Sequence, residues 1–335
     1  MGRYHVYGVG NALVDMEYLI PEADLSIHGI EKGVMTLVDE QRHHELTGNL
    51  EALHHKRACG GSAANTVIAL AQLGGKAYYS CKVGNDESGS FYLRDLRACG
   101  VESAALDHQR PPGVTGKCLV MVTPDADRTM NTYLGISSDL SVDDINPDAI
   151  ADSDHVYLEG YLVTGDGSRK AAIETARIAR EAGVPTALTL SDPNIVKFFN
   201  QGLLEMAGDD LDLLFCNEAE ACIIAGTDSA DNAVETLKSI AKRFAMTRGA
   251  DGALLFDGDR LIEIAPHAVK PIDTNGAGDM YAGAFLYGIT HGMDFSRAGE
   301  LASLTSAHLV THFGPRLPAD KTRELLQSFV QQNIH

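Results

Sequence analysis

Asp273-Thr274-Asn275-Gly276-Ala277-Gly278-Asp279, set directly before a long apolar stretch, is the part of this 335-residue chain whose reading decides the fold. Small residues let backbone N–H groups approach an anion, and a helix that starts there points its positive end at the same place. A carboxylate inside an anion site is unfavourable unless it has a chemical task. Asp279 is placed to take a proton from an alcohol while the backbone of Asn275, Gly276, Ala277 and Gly278 holds the phosphoryl group under attack. The structural alternative is a helix cap on a glycine-rich turn, because Asp and Asn both cap helices. Features elsewhere in the chain decide between the two.

Around this stretch the C-terminal third reads as helices over Gly276–His291, Ser296–His312 and Asp320–Gln332. Upstream, short apolar strands at His155–Leu158, Thr186–Leu190, Leu211–Cys216, Ala245–Thr247 and Ala253–Phe256 alternate with helices at Ser168–Glu181, Glu218–Ala225 and Ala230–Arg243. That rhythm predicts a mainly parallel sheet covered on both faces. Val6–Val9 reads as a first buried strand, Ser62–Leu73 as a helix capped by Ser62, Ala77–Val83 as a strand and Ser88–Cys99 as a helix. Ala12–Ile20 and Gly33–Val38 read as exposed strands. Thr115–Val122 and Arg128–Leu134 read as a hairpin turning at Pro124–Asp127. These early strands break the rhythm. They predict a small discontinuous β-rich lid from 12–39 and 113–134, over a large α/β unit of 1–11, 40–112 and 135–335.

Several polar residues fall at strand ends or helix starts. Gly8-Val9-Gly10 follows a strand, but the third glycine of a dinucleotide fingerprint would fall at Leu13, which disfavours a nicotinamide-dependent dehydrogenase. Asn11 and Asp15 could instead bind ligand hydroxyls at the C-terminal edge of a parallel sheet, although Asp15 taken alone reads as an ordinary turn or edge-strand carboxylate. Gly60 and Gly61 allow close backbone approach, and Asn65, one turn into the helix, can turn its amide toward a ligand at the helix start. Asn217 and Glu220 share one face of a first helical turn. Acidic residues there complement the helix dipole, which is a purely structural explanation. A magnesium role for Glu220 would run through water, since magnesium keeps several of its waters. Thr247 and Gly249 bound a bend suited to nucleotide phosphates. Arg128 is either a solvated edge-strand charge or a guanidinium brought to the phosphates when a lid closes.

Lys and Arg total 27 against 46 Asp and Glu, a net charge of −19. Such a balance argues against nucleic acid or an anionic membrane as the main partner, but not against a small phosphorylated ligand. The six cysteines show neither a zinc spacing nor a disulfide framework, which fits reduced thiols in the cytoplasm. No secretory signal or bilayer-spanning run is visible.

Together these segments resemble the ribokinase, or PfkB-type, family of carbohydrate kinases over nearly the whole chain. Asp273–Asp279 matches the family signature that ends in the catalytic aspartate. Gly60-Gly61 with Asn65 resembles its N-terminal substrate signature, and Asn217 with Glu220 its N-x-x-E motif. Gly8–Asp15, Gly60–Thr66, Phe215–Ala221 and Asp127-Arg128 with the strand after it are similar to the adenosine kinases of that family. The resemblance implies a three-layer α/β/α sandwich with a β-sheet lid. It implies transfer of the γ-phosphoryl group of ATP, with Mg2+, to the 5′-hydroxyl of adenosine. Asp279 would be the base, Asp15, Gly60, Gly61 and Asn65 would hold the ribose with Asn11 nearby, and Arg128 would close over the phosphate. Leu37, Leu134 and Tyr161 would form a wall against the base or serve as lid packing. Asn217, Glu220, Thr247, Gly249, Gly276 and Gly278 would serve the nucleotide. Another ribonucleoside, a free sugar such as ribose, or a silent nucleotide sensor on the same frame stay open. So do dependence on a monovalent cation and the choice between monomer and homodimer.

Overall fold

The computed structural model describes residues 2–50, 54–106, 109–125 and 127–331, with 54–56 described by backbone alone. The chain opens with β1 (Tyr4–Val9), then enters a small sheet through β2 (Leu13–Leu19), α1 (Glu22–Ile27), β3 (Met35–Leu37), α2 (Glu40–Leu50) and β4 (His54–Gly60). It returns through α3 (Ser62–Gln72), β5 (Ala77–Ser80), α4 (Glu87–Ala98) and β6 (Val101–Glu102). A hairpin, β7 (Gly116–Val122) and β8 (Arg128–Tyr133), goes back to the small sheet. Then follow α5 (Pro147–Ala151), β9 (Ser153–Glu159), α6 (Asp166–Ala182), β10 (Thr186–Thr189), α7 (Pro193–Ala207), β11 (Leu213–Asn217), α8 (Glu218–Ala225), α9 (Ala230–Ile240), β12 (Arg243–Thr247), β13 (Ala253–Phe256) and β14 (Leu261–Ile264). The helices α10 (Ala277–Thr290), α11 (Phe295–Leu309) and α12 (Ala319–Gln331) finish the chain. Residue 126 of the expected hairpin turn and residue 332 of the expected last helix lie outside the described residues.

The large sheet runs β14-β13-β12-β11-β10-β9-β1-β5-β6, parallel from β12 to β6 and antiparallel at the β13 and β14 edge. Both of its faces are buried, so successive side chains serve different cores. Tyr157 joins Val67, Phe215 and Phe285 on the face covered by α3, α10 and α11, while its neighbours Val156 and Leu158 pack with Ala171, Val196 and Val234 on the other. From β1 the chain continues to β5 on one side, whereas β9 and its successors lie on the other. That reversal opens a crevice at the C-terminal ends of β1 and β9.

The small sheet has the order β3-β8-β7-β2-β4. Two expectations change here. β4 belongs to this sheet, paired antiparallel with β2, rather than lying with the large unit; its sequence HHKRACG lacks the alternation that marks a strand. β2 is an interior strand with mostly buried side chains, not an exposed one. α1 and α2 cover the outer face, where Tyr18, Leu119 and Met121 pack on Leu25, Leu46 and Leu50. The alternate residues Cys118, Val120 and Val122, with Leu13 and Met130, form the opposite, apolar face.

A helix pair positions the chemistry. α3 and α10 approach so closely that a Cβ on Gly283 would stand 2.4 Å from the Thr66 carbonyl oxygen and 2.7 Å from the Ala69 Cβ. Only glycine allows that contact, and it brings the starts of the two helices together.

Candidate active site

α10 begins at Gly276, whose φ of +73° is in the left-handed region and whose missing Cβ makes room for the Pro315 backbone. Asp279 then falls in the first helical turn. Its carboxylate meets the start of α3: Ser62 Oγ donates to Oδ1 at 2.7 Å and Asn65 Nδ2 donates to Oδ2 at 3.1 Å. Burial pushes Asp279 up to about 6, and the Ser62 and Asn65 hydrogen bonds work against that rise. The Asn65 amide oxygen is buried without a hydrogen-bond partner among the described residues. Such an orphaned acceptor in a cleft suits a ligand hydroxyl.

The loop before α10 is organised by Asp273. Its fully buried carboxylate accepts from the Asn275 N–H at 2.8 Å and the Gly314 N–H at 2.6 Å. The Ala277 N–H donates to the Thr274 carbonyl at 3.2 Å. The expected anion hole therefore narrows toward Gly276, Gly278 and the first-turn N–H groups that any helix start leaves without an intrahelical acceptor.

At the crevice beside β1, Glu159 ends β9 and is almost wholly buried. It accepts from the Asn11 N–H at 2.7 Å, from Asn11 Nδ2 at 2.9 Å and from the Ala63 N–H at 2.8 Å. Burial raises its carboxyl to about 7, partly offset by those N–H donors. Asn11 thus spends its amide nitrogen on Glu159 and leaves Oδ1 for a ligand.

Asp15 projects from β2 into the same cleft. Burial lifts it to about 7, Arg316 opposes the rise, and Glu17 and Asp279 add to it. Gly60 gives this carboxylate its place, because a Cβ there would stand 2.2 Å from the Asp15 Cγ. Gly61 has φ +96°, and a Cβ on it would meet the Asn11 carbonyl oxygen at 2.1 Å. Arg128 is no solvated edge charge. β8 lies between β3 and β7, and the buried guanidinium pairs with Asp273 and lies 4.0 Å from Glu17. The small sheet and the anion loop are joined through it.

On the far side, Asn217 and Glu220 form a reciprocal cap on α8. Asn217 Oδ1 accepts from the Glu220 N–H at 2.8 Å, and Glu220 accepts from the Asn217 N–H at 2.9 Å and from Nδ2 at 2.8 Å. Glu220 is nonetheless buried in the cleft wall and pushed up to about 7, by burial first and by Asp192 as well. Among the described residues, no group of three or more His, Cys, Asp or Glu side chains could hold a metal. Magnesium bound by one or two carboxylates plus phosphates needs no such group.

One cleft of about 650 Å³ collects these parts, in the range of small-molecule sites. Asn11, Asp15, Gly61, Asn65, Leu37, Leu134, Tyr161, Arg128, Asn217, Glu220, Thr247, Gly249 and the whole run Asn275–Asp279 line it. Gly60 is the exception, acting on Asp15 from behind. Ser62 reads in sequence as a helix cap, but the cap residue is Gly61. The sequence reading missed Glu159, Asp273 as an organiser, and the apolar Leu13, Cys118, Val120 and Met130 of the lid face. Ser191 was unforeseen too. Its φ of +72° is the single left-handed non-glycine value among the described residues, and it lines the cleft. Glu159 ends a buried parallel strand as Asn217 does, but the N–H donors that mark its place are 148 and 96 residues away in sequence. Ser62 carried no signal beyond its helix start.

Residues 32–322 match the family described as pfkB family carbohydrate kinase, and the chain belongs to that family. Its class of activity is that of a sugar or nucleoside kinase, and its fold is the ribokinase-like sandwich with a second, smaller sheet. A probable sugar kinase from Rhizobium etli CFN 42 superposes with a TM-score of 0.91 at 33% identity, covering 98% of this chain and 99% of that one. An adenosine kinase from Sinorhizobium meliloti does so at 0.89 and 33% identity, covering 97% and 99%. A 5-dehydro-2-deoxygluconokinase from Clostridium perfringens is 26% identical over 78% of this chain and 80% of its own length. Among the described residues no helix is long and apolar enough to cross a membrane.

Proposed function

We propose that this chain transfers the γ-phosphoryl group of ATP to the 5′-hydroxyl of adenosine, giving AMP and ADP, with Asp279 as general base. The observation that carries the reading is a part-buried carboxylate at a helix start, gripped on both oxygens, beside the orphaned Asn65 oxygen and an apolar wall. The carboxylate accepts the hydroxyl proton as the alcohol oxygen attacks phosphorus. First-turn amides of α10 and Arg128 meet the charge on the transferred group.

Asp15 and Asn65 pair with ribose hydroxyls. Leu13, Leu37, Val120 and Met130 supply the flat apolar surface that a purine covers and a bare sugar leaves open to water. Thr247 and Gly249 serve the nucleotide. Glu220, a buried acid in the cleft wall beside Asp192, fits a water-linked Mg2+, which neutralises phosphate charge when bound. Residues 12–39 and 113–134, extended by β4, act as the lid.

A panel of adenosine, 2′-deoxyadenosine, inosine, guanosine, cytidine, ribose and 5-dehydro-2-deoxygluconate with Mg-ATP tests this reading. Adenosine is expected to lead, with 2′-deoxyadenosine far behind, because a buried carboxylate missing its hydroxyl partner is left unpaired. Preference for a sugar would overturn the acceptor and keep the kinase. The similarity to the gluconokinase supports that second reading. No turnover of any member would put a silent sensor first.

A further inference from the structure

The hydroxyl of Ser62 has no structural task in its own helix. α3 is capped at Gly61 without a side-chain hydrogen bond, and the Ser62 carbonyl already accepts from Thr66 Oγ1 at 3.1 Å. The hydroxyl instead reaches across to Asp279 Oδ1 at 2.7 Å, the length of a charge-assisted O–H···O⁻ bond. Asn65, three residues on and on the same helix face, takes the other oxygen at 3.1 Å. An aspartate χ2 is a broad, two-fold torsion that a single donor leaves free to rock. Two donors from one rigid helix turn fix the plane of the carboxylate. Each oxygen keeps a lone pair for the incoming proton.

We propose that Ser62 is a positioning residue for phosphoryl transfer: its hydroxyl holds Asp279 in plane and ionised, and keeps that bond while the acceptor is in place. This rests on Asp279 being the base. In the step it serves, the acceptor O–H bond breaks and its proton passes to Asp279. The acceptor oxygen forms a bond to the γ-phosphorus, the bond from that phosphorus to the bridging oxygen breaks, and ADP leaves with those electrons.

The electrostatics around Asp279 make the hydroxyl necessary. Among the described residues, Asp15 from β2, Tyr157 and Glu159 from β9, and Tyr161 just after β9 feel the charge of Asp279. Each is an acid, so none offers the base a positive charge. Among the described residues, Arg128, from β8, is the cation that lines the same cleft, and Asp273 engages it. Ser62 and Asn65 are the groups that oppose the effect of burial on Asp279.

The test is a single-turnover pH profile of Ser62→Ala, Ser62→Thr, Asp279→Asn and the unaltered protein. It uses saturating Mg-ATP and the best acceptor of the panel. The unaltered profile carries the titration of ATP itself. Ser62→Ala is expected to move the acid limb up by about one pH unit. The loss is then about fivefold at pH 6, about twofold at pH 7, and negligible above about pH 8. Ser62→Thr, which keeps the hydroxyl, returns the limb to its place. Acceptor affinity without ATP stays unchanged in Ser62→Ala. An unmoved limb, or a loss equal at every pH, overturns the proposal. So does a shift seen in kcat/KM but absent from the saturated rate, which would mean that the acceptor displaces the hydroxyl. If Asp279→Asn turns over normally, the base assignment fails instead. If Asp279→Asn is dead and Ser62→Ala is indistinguishable from the unaltered protein, only this inference falls.

Discussion

Replacing Gly60 with alanine adds one methyl group at a place where its effect can be worked from distances. The new Cβ would stand 2.2 Å from the Asp15 Cγ and 2.3 Å from each carboxylate oxygen. Non-bonded carbon atoms settle at about 3.5–4.0 Å, so the carboxylate has to retreat by roughly 1.5 Å. The backbone does not forbid alanine, because the φ of Gly60 is outside the left-handed region. The change therefore acts on Asp15 rather than on the chain path. Overpacking of this kind costs about 1–3 kcal/mol of stability. A reacting group displaced by about 1 Å costs on the order of a hundredfold in rate. Gly60→Ala should thus melt only a few degrees lower yet lose about a hundredfold in kcat/KM for adenosine. It should also lose most of its preference over 2′-deoxyadenosine. Gly61→Ala is the contrast: at φ +96° its methyl meets a backbone oxygen that cannot retreat, so its stability should fall further. The assays are thermal melts and steady-state kinetics on both nucleosides. A folded Gly60→Ala protein within about threefold of normal kcat/KM would sink the reasoning that Asp15 reads the acceptor.

Asp279→Asn should lower turnover by about a hundredfold or more while nucleoside binding, followed by calorimetry, persists. Arg128→Ala leaves the buried Asp273 carboxylate without its cation, so it should cost about 3–5 kcal/mol of stability, and kcat should fall more than nucleoside affinity measured without ATP. An unchanged melting temperature would refute the pairing. Asp15, raised from 3.8 to about 7 by burial, binds its proton more tightly folded than unfolded. Its contribution to stability is full below about pH 4 and is lost as pH rises through about 7, so Asp15→Asn should out-stabilise the unaltered protein at pH 8 by up to about 4 kcal/mol and match it near pH 4, as read by melts.

The residues legible in sequence were those whose local pattern is distinctive. Asp279 stood out because an acid among small residues at a helix start has few other reasons to be there. Asn217 and Glu220 were found by their spacing, and the structure realises the capping explanation together with a place in the cleft. Ser62 was legible as a helix start only. Its partner lies 217 residues away, brought close by a helix–helix contact that no local window contains. The Arg128 and Asp273 pair, 145 residues apart, was hidden in the same way. β4 escaped because its polar run carries no period of two, and its place in the sheet is set by pairing with β2. Glu159 escaped because an acid at a strand end looks solvated until the neighbouring N–H donors are known.

The contact at Gly283 divides the labour within the cleft. Asp279 and the two groups that grip it hang from one pair of helices pressed together where Gly283 meets Thr66 and Ala69. That half has almost no slack, so on the proposed reading a change in its shape should change the reaction rate. The apolar wall made by Leu37, Val120 and Met130 is built on a separate sheet, where residues of similar volume interchange at small cost. On the proposed reading, substitutions there should alter what is phosphorylated and leave untouched how it is phosphorylated. A frame arranged in this way lets acceptor choice drift in evolution while the chemistry stays fixed, so an engineer seeking a new acceptor should begin at the wall and leave the helix pair alone.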